Sequence, residues 1–301
     1  MSTIQTLDPV TPRGTVRNFS VGVGQIFLQE NWAAGALILL GIAVYSIPMA
    51  LTTAVGTLVA TVSARLMGAP TAHGLQGYCG ALVGAAAWAT FADLWPAALA
   101  TLLGAAACPP VTAALAWLFA LAPRAGGPLP VLTAPFCVVS GLVAMLAAAV
   151  IPSDGLPATL PEGDPLTLLG IAVLTGVSQV VLVESWLSGL LILAGLFVAG
   201  WRVGVAGLLG SVLGTLTALV AGATPAALAV GLAGYSPCLV VIAVACVFLK
   251  PGVLAWMLGC VGAVASVGVQ TLLAMTPIPV YTWPFIIATW LVMLIWDRHR
   301  G

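Results

Sequence analysis

Four matched sets of residues carry most of the chemistry open to this 301-residue chain. Gln25 and Gln179 each set a carboxamide in an apolar run, where unpaired donors and acceptors are costly, so each must face a partner helix or a wet path. Thr133 and Thr282 lie in PVLTAPF and PVYTWPF. The Pro that follows removes a backbone N–H, and the hydroxyl either satisfies a freed carbonyl or points into a path. Tyr78 with Leu82, and Tyr235 with Leu239, stand four apart. On a helix such pairs share a face and make a flat apolar wall, suited to core packing or to sandwiching a planar solute. Glu30 and Glu184 each come two residues before a tryptophan, Trp32 and Trp186. There they are expected to cap the following helices near the headgroup level, the alternative being a buried cation or proton site. No GxxxxGK[ST] loop, no HExxH and no Ser with a His and an acid in suitable places occurs, so neither an enzyme nor a transporter driven by its own ATPase is expected. The available chemistry is the hydrogen bonding of a solute in passage.

The elements that hold these groups are apolar. Only eight Lys and Arg and eight Asp and Glu stand against 61% apolar residues, where a soluble domain is about 25% charged. Lipid must therefore cover most of the outside. A net charge of zero without any cationic cluster excludes nucleic acid as a partner. Six cysteines are scattered without a Cys-x-x-Cys pair, and only His73 and His299 could join them. They read as small packing residues, and no metal or other cofactor is expected. A polar arm precedes the first apolar run and no small-residue cleavage site follows it, so no removable signal peptide is expected.

Gly, Pro and charged residues divide the chain into six apolar runs (18–31, 33–50, 51–66, 73–92, 95–122 and 129–151), the acidic stretch IPSDGLPATLPEGDP, and six more runs (166–183, 187–201, 203–221, 226–249, 252–275 and 280–296). The two sets are copies. GQIFLQENWAAGALILLG lies over SQVVLVESWLSGLLILAG, Gly56-Thr57-Leu58 over Gly214-Thr215-Leu216, GLQGYCGALV over GLAGYSPCLV, and PVLTAPF over PVYTWPF, in the same order with offsets between 149 and 158. Matched placement favours a pore on a pseudo-two-fold axis over interhelical glue for the glutamines, and a midpoint pair of hydroxyls for the threonines.

If one run of each six is re-entrant, each half crosses five times, the second copy is inverted and both termini share a side. With 73–92 and 226–249 as the re-entrant runs, Arg13, Arg17, Arg124, Lys250, Arg298 and Arg300 fall on the cytoplasmic side, while Arg65 and Arg202 lie outside with Asp154, Glu162 and Asp164. The expected organisation is a cytoplasmic arm (1–17), a first half (18–151), an extracytoplasmic linker (152–165), a second half (166–296) and a cytoplasmic tail (297–301), in an all-α integral membrane protein of the inner (plasma) membrane.

The motifs GQIFLQENWAAGALIL, GLQGYCGALVG, GLAGYSPCLV, PVLTAPF and PVYTWPF resemble those of the urea transporter family, over residues 18 to 296. The resemblance implies five crossing helices and one re-entrant helix per half, a homotrimer with one pore per protomer, and passive passage of urea or a close small amide. It also implies roles residue by residue. Gln25 and Gln179 bind the amide at the two mouths; Tyr78, Leu82, Tyr235 and Leu239, with Leu28 and Leu182, form flat slots; Thr133 and Thr282 mark the midpoint, with backbone carbonyls as an oxygen ladder between. Two features depart from the family. Cys79 and Ser236 stand where Asn is common, and Leu28 and Leu182 where relatives are often aromatic. Urea is planar and dipolar, with N–H donors on its edges, so acceptors in an apolar slot suit it, whereas a cation would lose more hydration. Competing readings are an ion-coupled carrier using Glu30 and Glu184, an ammonia or ammonium channel, for which paired histidines are lacking, and a membrane scaffold without transport.

Overall fold

A computed structural model describes residues 12–122, 127–150 and 160–298, with the backbone alone at 12–17, 72 and 298. The first half runs α1 (Pro12–Gly24), α2 (Trp32–Tyr45), α3 (Ile47–Leu66), α4 (Tyr78–Phe91), α5 (Leu94–Ala120) and α6 (Ala134–Val150). The second runs α7 (Pro165–Ser178), α8 (Trp186–Ala199), α9 (Trp201–Val220), the short α10 (Pro225–Ala229), α11 (Tyr235–Ile242) continued by a π-helical stretch (Ala243–Phe248), α12 (Val253–Ala274) and α13 (Trp283–Arg298). No strand occurs among the described residues.

Beyond α1, these helices are apolar nearly all round, and they expose large apolar side chains that a water-soluble bundle would bury. Leu66, Trp95 and Val220 are 85%, 81% and 89% exposed, while the interior holds small and hydroxylated residues such as Thr53, Thr57, Thr101 and Ser211. The threonine hydroxyls are satisfied within their own helices, Thr53 donating to Met49 O, Thr57 to Thr53 O and Thr101 to Ala97 O. Large apolar side chains on the outside, and an inside where small and hydroxylated residues sit among buried ones as large as Phe27 and Phe285, suit helices that meet in lipid, where close backbone approach replaces the hydrophobic drive. Among the described residues, four helices, α3, α5, α9 and α12, are long and apolar enough to cross a membrane. The count rises to six if the two bent pairs, Asn18–Phe27 with Trp32–Tyr45 and Pro165–Val181 with Trp186–Ala199, are each one span.

Glycines set the spacing where helices touch backbone to backbone. A Cβ on Gly56 of α3 would lie 2.1 Å from Gly80 O of α4, and one on Gly80 would lie 2.2 Å from Gly56 O. The bends of 75° and 73° in the two broken pairs are held likewise, since a Cβ on Gly35 would fall 1.7 Å from Ser20 O and one on Gly189 1.9 Å from Leu174 O. Across the halves, α2 packs on α8, with Gly41 facing Ser188 and Ile192, and the equivalent Gly195 facing Ala34 and Leu37. Each half thus offers the other the same surface, as an isologous contact requires.

One expected boundary moves. The run read as 33–50 contains the end of α2 and the start of α3, with Ser46 between them as N-cap, its hydroxyl accepting from Met49 N at 3.3 Å, and Pro48 in the first turn. The segments expected to re-enter contain α4 and, in the second half, α11 with its π-helical continuation. Each holds 14 residues, about 21 Å at 1.5 Å per residue against a hydrocarbon core of roughly 30 Å. Among the cations placed by charge asymmetry, Arg124 and Arg300, with Asp154, lie outside the described residues, as do the side chains of Arg13, Arg17 and Arg298. His299 lies outside them too.

Candidate solute path between the repeats

Gln25 and Gln179 each open a single 3-10 turn at the end of α1 and α7, and each turn closes on a leucine in the left-handed region, Leu28 at φ 60 and Leu182 at φ 59. Leu28 N donates to Gln25 O and Leu182 N to Gln179 O, at 2.9 and 3.0 Å. A non-glycine residue in this conformation is uncommon and marks a place over-determined by its surroundings. Past these turns the chain reverses into α2 and α8. The two carboxamides are tied alike. Gln25 Nε2 donates to His73 O and Gln179 Nε2 to Val230 O, both at 2.8 Å, onto the carbonyl just before Gly74 and Gly231. With the nitrogen committed, Oε1 is the end of each amide left to accept a hydrogen bond.

The acids do not cap α2 and α8 as expected. Asn31 Oδ1 accepts from Ala33 N and Ala34 N, and Ser185 Oγ accepts from Ser188 N, so the capping falls to the next residue along. Short side chains adjoining the first turn reach its orphan N–H groups more readily than a glutamate one position earlier. Glu30 is instead paired with His73 Nδ1 at the surface, and Glu184 is exposed.

At the centre the repeats meet. Thr133 Oγ1 and Thr282 Oγ1 are 2.7 Å apart, each residue 3% exposed, and Cys137 Sγ lies 3.1 Å from Thr282 Oγ1. Each threonine follows a residue of positive φ, Leu132 at 52 and Tyr281 at 36. Those strained turns are held by the tyrosines of the other motif, Tyr78 Oη donating to Leu132 O and Tyr235 Oη to Tyr281 O, both at 2.6 Å. The tyrosines were expected to offer only ring faces. Their hydroxyls also fasten the turn that presents each threonine, a role invisible until the two motifs are brought together.

A cavity of about 270 Å³ lies on the second half's side of the threonine pair. Gln179, Leu182, Tyr235 and Thr282 line it, joined by Phe136, Tyr281 and Gln270. Phe136 and Tyr281 meet edge to face across the halves at 5.1 Å. Of the expected slot residues, Leu82 and Leu239 are 1% exposed, inside the packed core and not in the cavity wall. In the first half, Gln25, Leu28, Tyr78 and Thr133 repeat the hydrogen bonds and the left-handed turn of their counterparts. Cys79 and Ser236, at matching places in the two motifs, differ in their bonding: Cys79 Sγ reaches Leu132 O at 3.9 Å, and Ser236 Oγ is buried without a partner among the described residues. No group of three His, Cys, Asp or Glu among the described residues could hold a metal ion.

The family model described as urea transporter matches residues 16–297. The chain belongs to the urea transporter family. That is a family of transporters, not enzymes. Among individual relatives, urea transporter 1 of Rattus norvegicus is 38% identical over 119 residues, and urea transporter 1 of Mus musculus 37% identical over 119 residues. Urea transporter 1 of Ovis aries is 38% identical over the same length. Each alignment covers 38% of this chain and 31% of the relative, so the match spans about a third of the length of these curated relatives. As a urea transporter family member, the chain carries the matched glutamine, tyrosine and threonine sets well inside the matched region.

Proposed function

We propose that this chain lets urea, or a close small amide, cross the membrane passively, along a slot that runs from one glutamine to the other through the threonine pair. The observation that carries this reading is the meeting of Thr133 and Thr282, supplied by equivalent turns of the two repeats and buried where the halves join. A urea N–H leaving water meets a Gln oxygen at the mouth, the Thr hydroxyls at the middle and the second Gln oxygen beyond. Backbone carbonyls of the motif turns form the ladder between. Each step exchanges one acceptor for another with little net change, which is what rapid passage needs.

Tyr78, Tyr235, Leu28 and Leu182 confine the flat molecule, with Leu82 and Leu239 behind them. Methylammonium would leave more hydration energy in water and meets no carboxylate along this line. The acids support passive passage over ion coupling, since Glu30 and Glu184 lie exposed and neither lines the cavity beside the threonine pair. The same reading takes 18–151 and 166–296 as inverted halves of five crossing helices and one re-entrant helix each, 1–17 and 297–301 as cytoplasmic ends, and 152–165 as the outer linker. It also takes the working form as a homotrimer in the inner membrane.

Stopped-flow urea uptake into proteoliposomes without any ion gradient, beside thiourea, methylated ureas and methylammonium, tests it. Fast urea uptake with methylammonium excluded is the expected result. Uptake that requires a proton or sodium gradient, or no uptake in vesicles shown to hold folded protein, refutes it.

A further inference from the structure

Gln270 has no counterpart in the first half. Gly262 of α12 faces Val240 as Gly104 of α5 faces Val83, which aligns the two helices and places Thr112 opposite Gln270 in the repeat. Thr112 spends its hydroxyl on Cys108 O of its own helix. Gln270 instead lines the cavity shared with Gln179, Tyr235 and Thr282. Its Nε2 donates to Leu232 O at 2.6 Å, while its Oε1 is buried without a donor among the described residues. Such an acceptor is unfavourable in isolation, and in a native interior it calls for an explanation.

The neighbouring geometry supplies one. Gln179 Nε2 is committed to Val230 O and Gln270 Nε2 to Leu232 O, so one short turn at residues 230–232 fastens both amide nitrogens at this mouth. Both carboxamides therefore turn their oxygens away from that turn's carbonyls. A planar amide with two N–H groups along one edge has the donors that two such acceptors need. We propose that Gln270 is a specificity-determining residue of the Gln179 mouth, its Oε1 accepting an N–H from the solute alongside Gln179. The position equivalent to Gln270 in the first half holds Thr112, whose hydroxyl is spent on its own helix, so the two ends of the path bind the solute unequally. This rests on the reading of the chain as a passage for urea.

The test uses the full chain in right-side-out and inside-out membrane vesicles, with urea flux measured against urea concentration from each face. Gln270→Met keeps the length and the apolar stem while removing the carboxamide. Its half-saturating concentration is expected to rise about five- to tenfold from one face only, the worth of roughly one hydrogen bond to a neutral acceptor. The opposite face serves as the control within the same protein, since a folding or packing defect shifts both. Gln270→Asn, which keeps the amide but withdraws it by one methylene, is expected to fall between. An equal shift from both faces, or none from either, overturns the proposal. Absence of urea flux in the unmodified chain refutes the transport reading itself, a result distinguishable from normal flux that is indifferent to Gln270.

Discussion

Replacing the two central threonines separates hydrogen bonding from shape. Thr282→Val exchanges a hydroxyl for a methyl of nearly the same size, but it strips Thr133 Oγ1 of its partner at 2.7 Å and Cys137 Sγ of one at 3.1 Å. A buried hydroxyl left unpaired costs about 1–3 kcal/mol. Interhelical side-chain bonds in membranes are themselves worth about 0.6 and at most about 1.7 kcal/mol. Thr133→Val with Thr282→Val removes both partners, and the unpaired-hydroxyl term disappears. Two methyl carbons need about 3.5–4.0 Å, so the turns must part by roughly 1 Å. The double variant is therefore expected to unfold at a temperature no lower than that of the Thr282→Val single. Flux should not recover with it. The midpoint has then lost two acceptors, each worth about 0.5–1.5 kcal/mol net, and a barrier raised by about 1–3 kcal/mol slows passage roughly 5- to 150-fold. Thr133→Ser with Thr282→Ser keeps both hydroxyls and is expected to conduct within about threefold of the unmodified chain, a barrier change of under about 1 kcal/mol. Stopped-flow light scattering on proteoliposomes, beside thermal unfolding in detergent, reads both quantities. A double-valine variant that passes urea at the unmodified rate refutes the role of the hydroxyls, and a double-serine variant as slow as the valine one shows that bulk, not acceptors, sets the rate.

Tyr235→Phe loses the bond to Tyr281 O at 2.6 Å, and is expected to lower stability by about 1 kcal/mol and slow urea passage several-fold as the threonine turn loosens; unchanged unfolding and flux would show that the hydroxyl holds nothing. Gly56→Ala puts a methyl carbon 2.1 Å from Gly80 O, so α3 and α4 must separate and the cost should be about 1–3 kcal/mol or more. Gly141→Ala, where the added Cβ meets nothing within 4 Å, should be neutral or better by a few tenths of a kcal/mol. Thermal unfolding of the two side by side decides whether backbone contact, and not glycine as such, is what α3 and α4 require.

Much of the candidate path's geometry was legible because the chain states it twice. A carboxamide or hydroxyl in an apolar run is ambiguous by itself, yet Gln25 with Gln179 and Thr133 with Thr282 recur at matching places, and the structure ties each glutamine to an equivalent carbonyl and brings the threonines together. Duplication also hides things. Gln270 fails the symmetry test and so escapes notice, although a lone carboxamide near the end of the apolar helix α12 was a signal in plain view. The left-handed turns at Leu28 and Leu182 had no local signal, since leucine does not favour positive φ. They are imposed from outside, where Gly35 and Gly189 let α2 and α8 fold back against Ser20 and Leu174. The boundary at Ser46 was readable from Ser46 and Pro48 as an N-cap followed by a first-turn proline, and was masked because an unbroken apolar run carries no charge to punctuate it.

The departures from symmetry bear most on direction. Both mouths hold a glutamine by its nitrogen to the carbonyl of a turn, but the turns are braced differently. His73, in the left-handed region at φ 62, is braced through its ring to Glu30, whereas Val230 has no such group and the turn beside it is braced by Gln270. A strictly two-fold path would offer a solute the same affinity at either end. Here one end carries an exposed ionisable pair and the other a second neutral amide inside the cavity, so the proposed path predicts unequal capture at the two faces from side chains alone. Passive transport tolerates this inequality, because affinity at one end changes how soon that face saturates and leaves the equilibrium between the two sides where the concentrations put it.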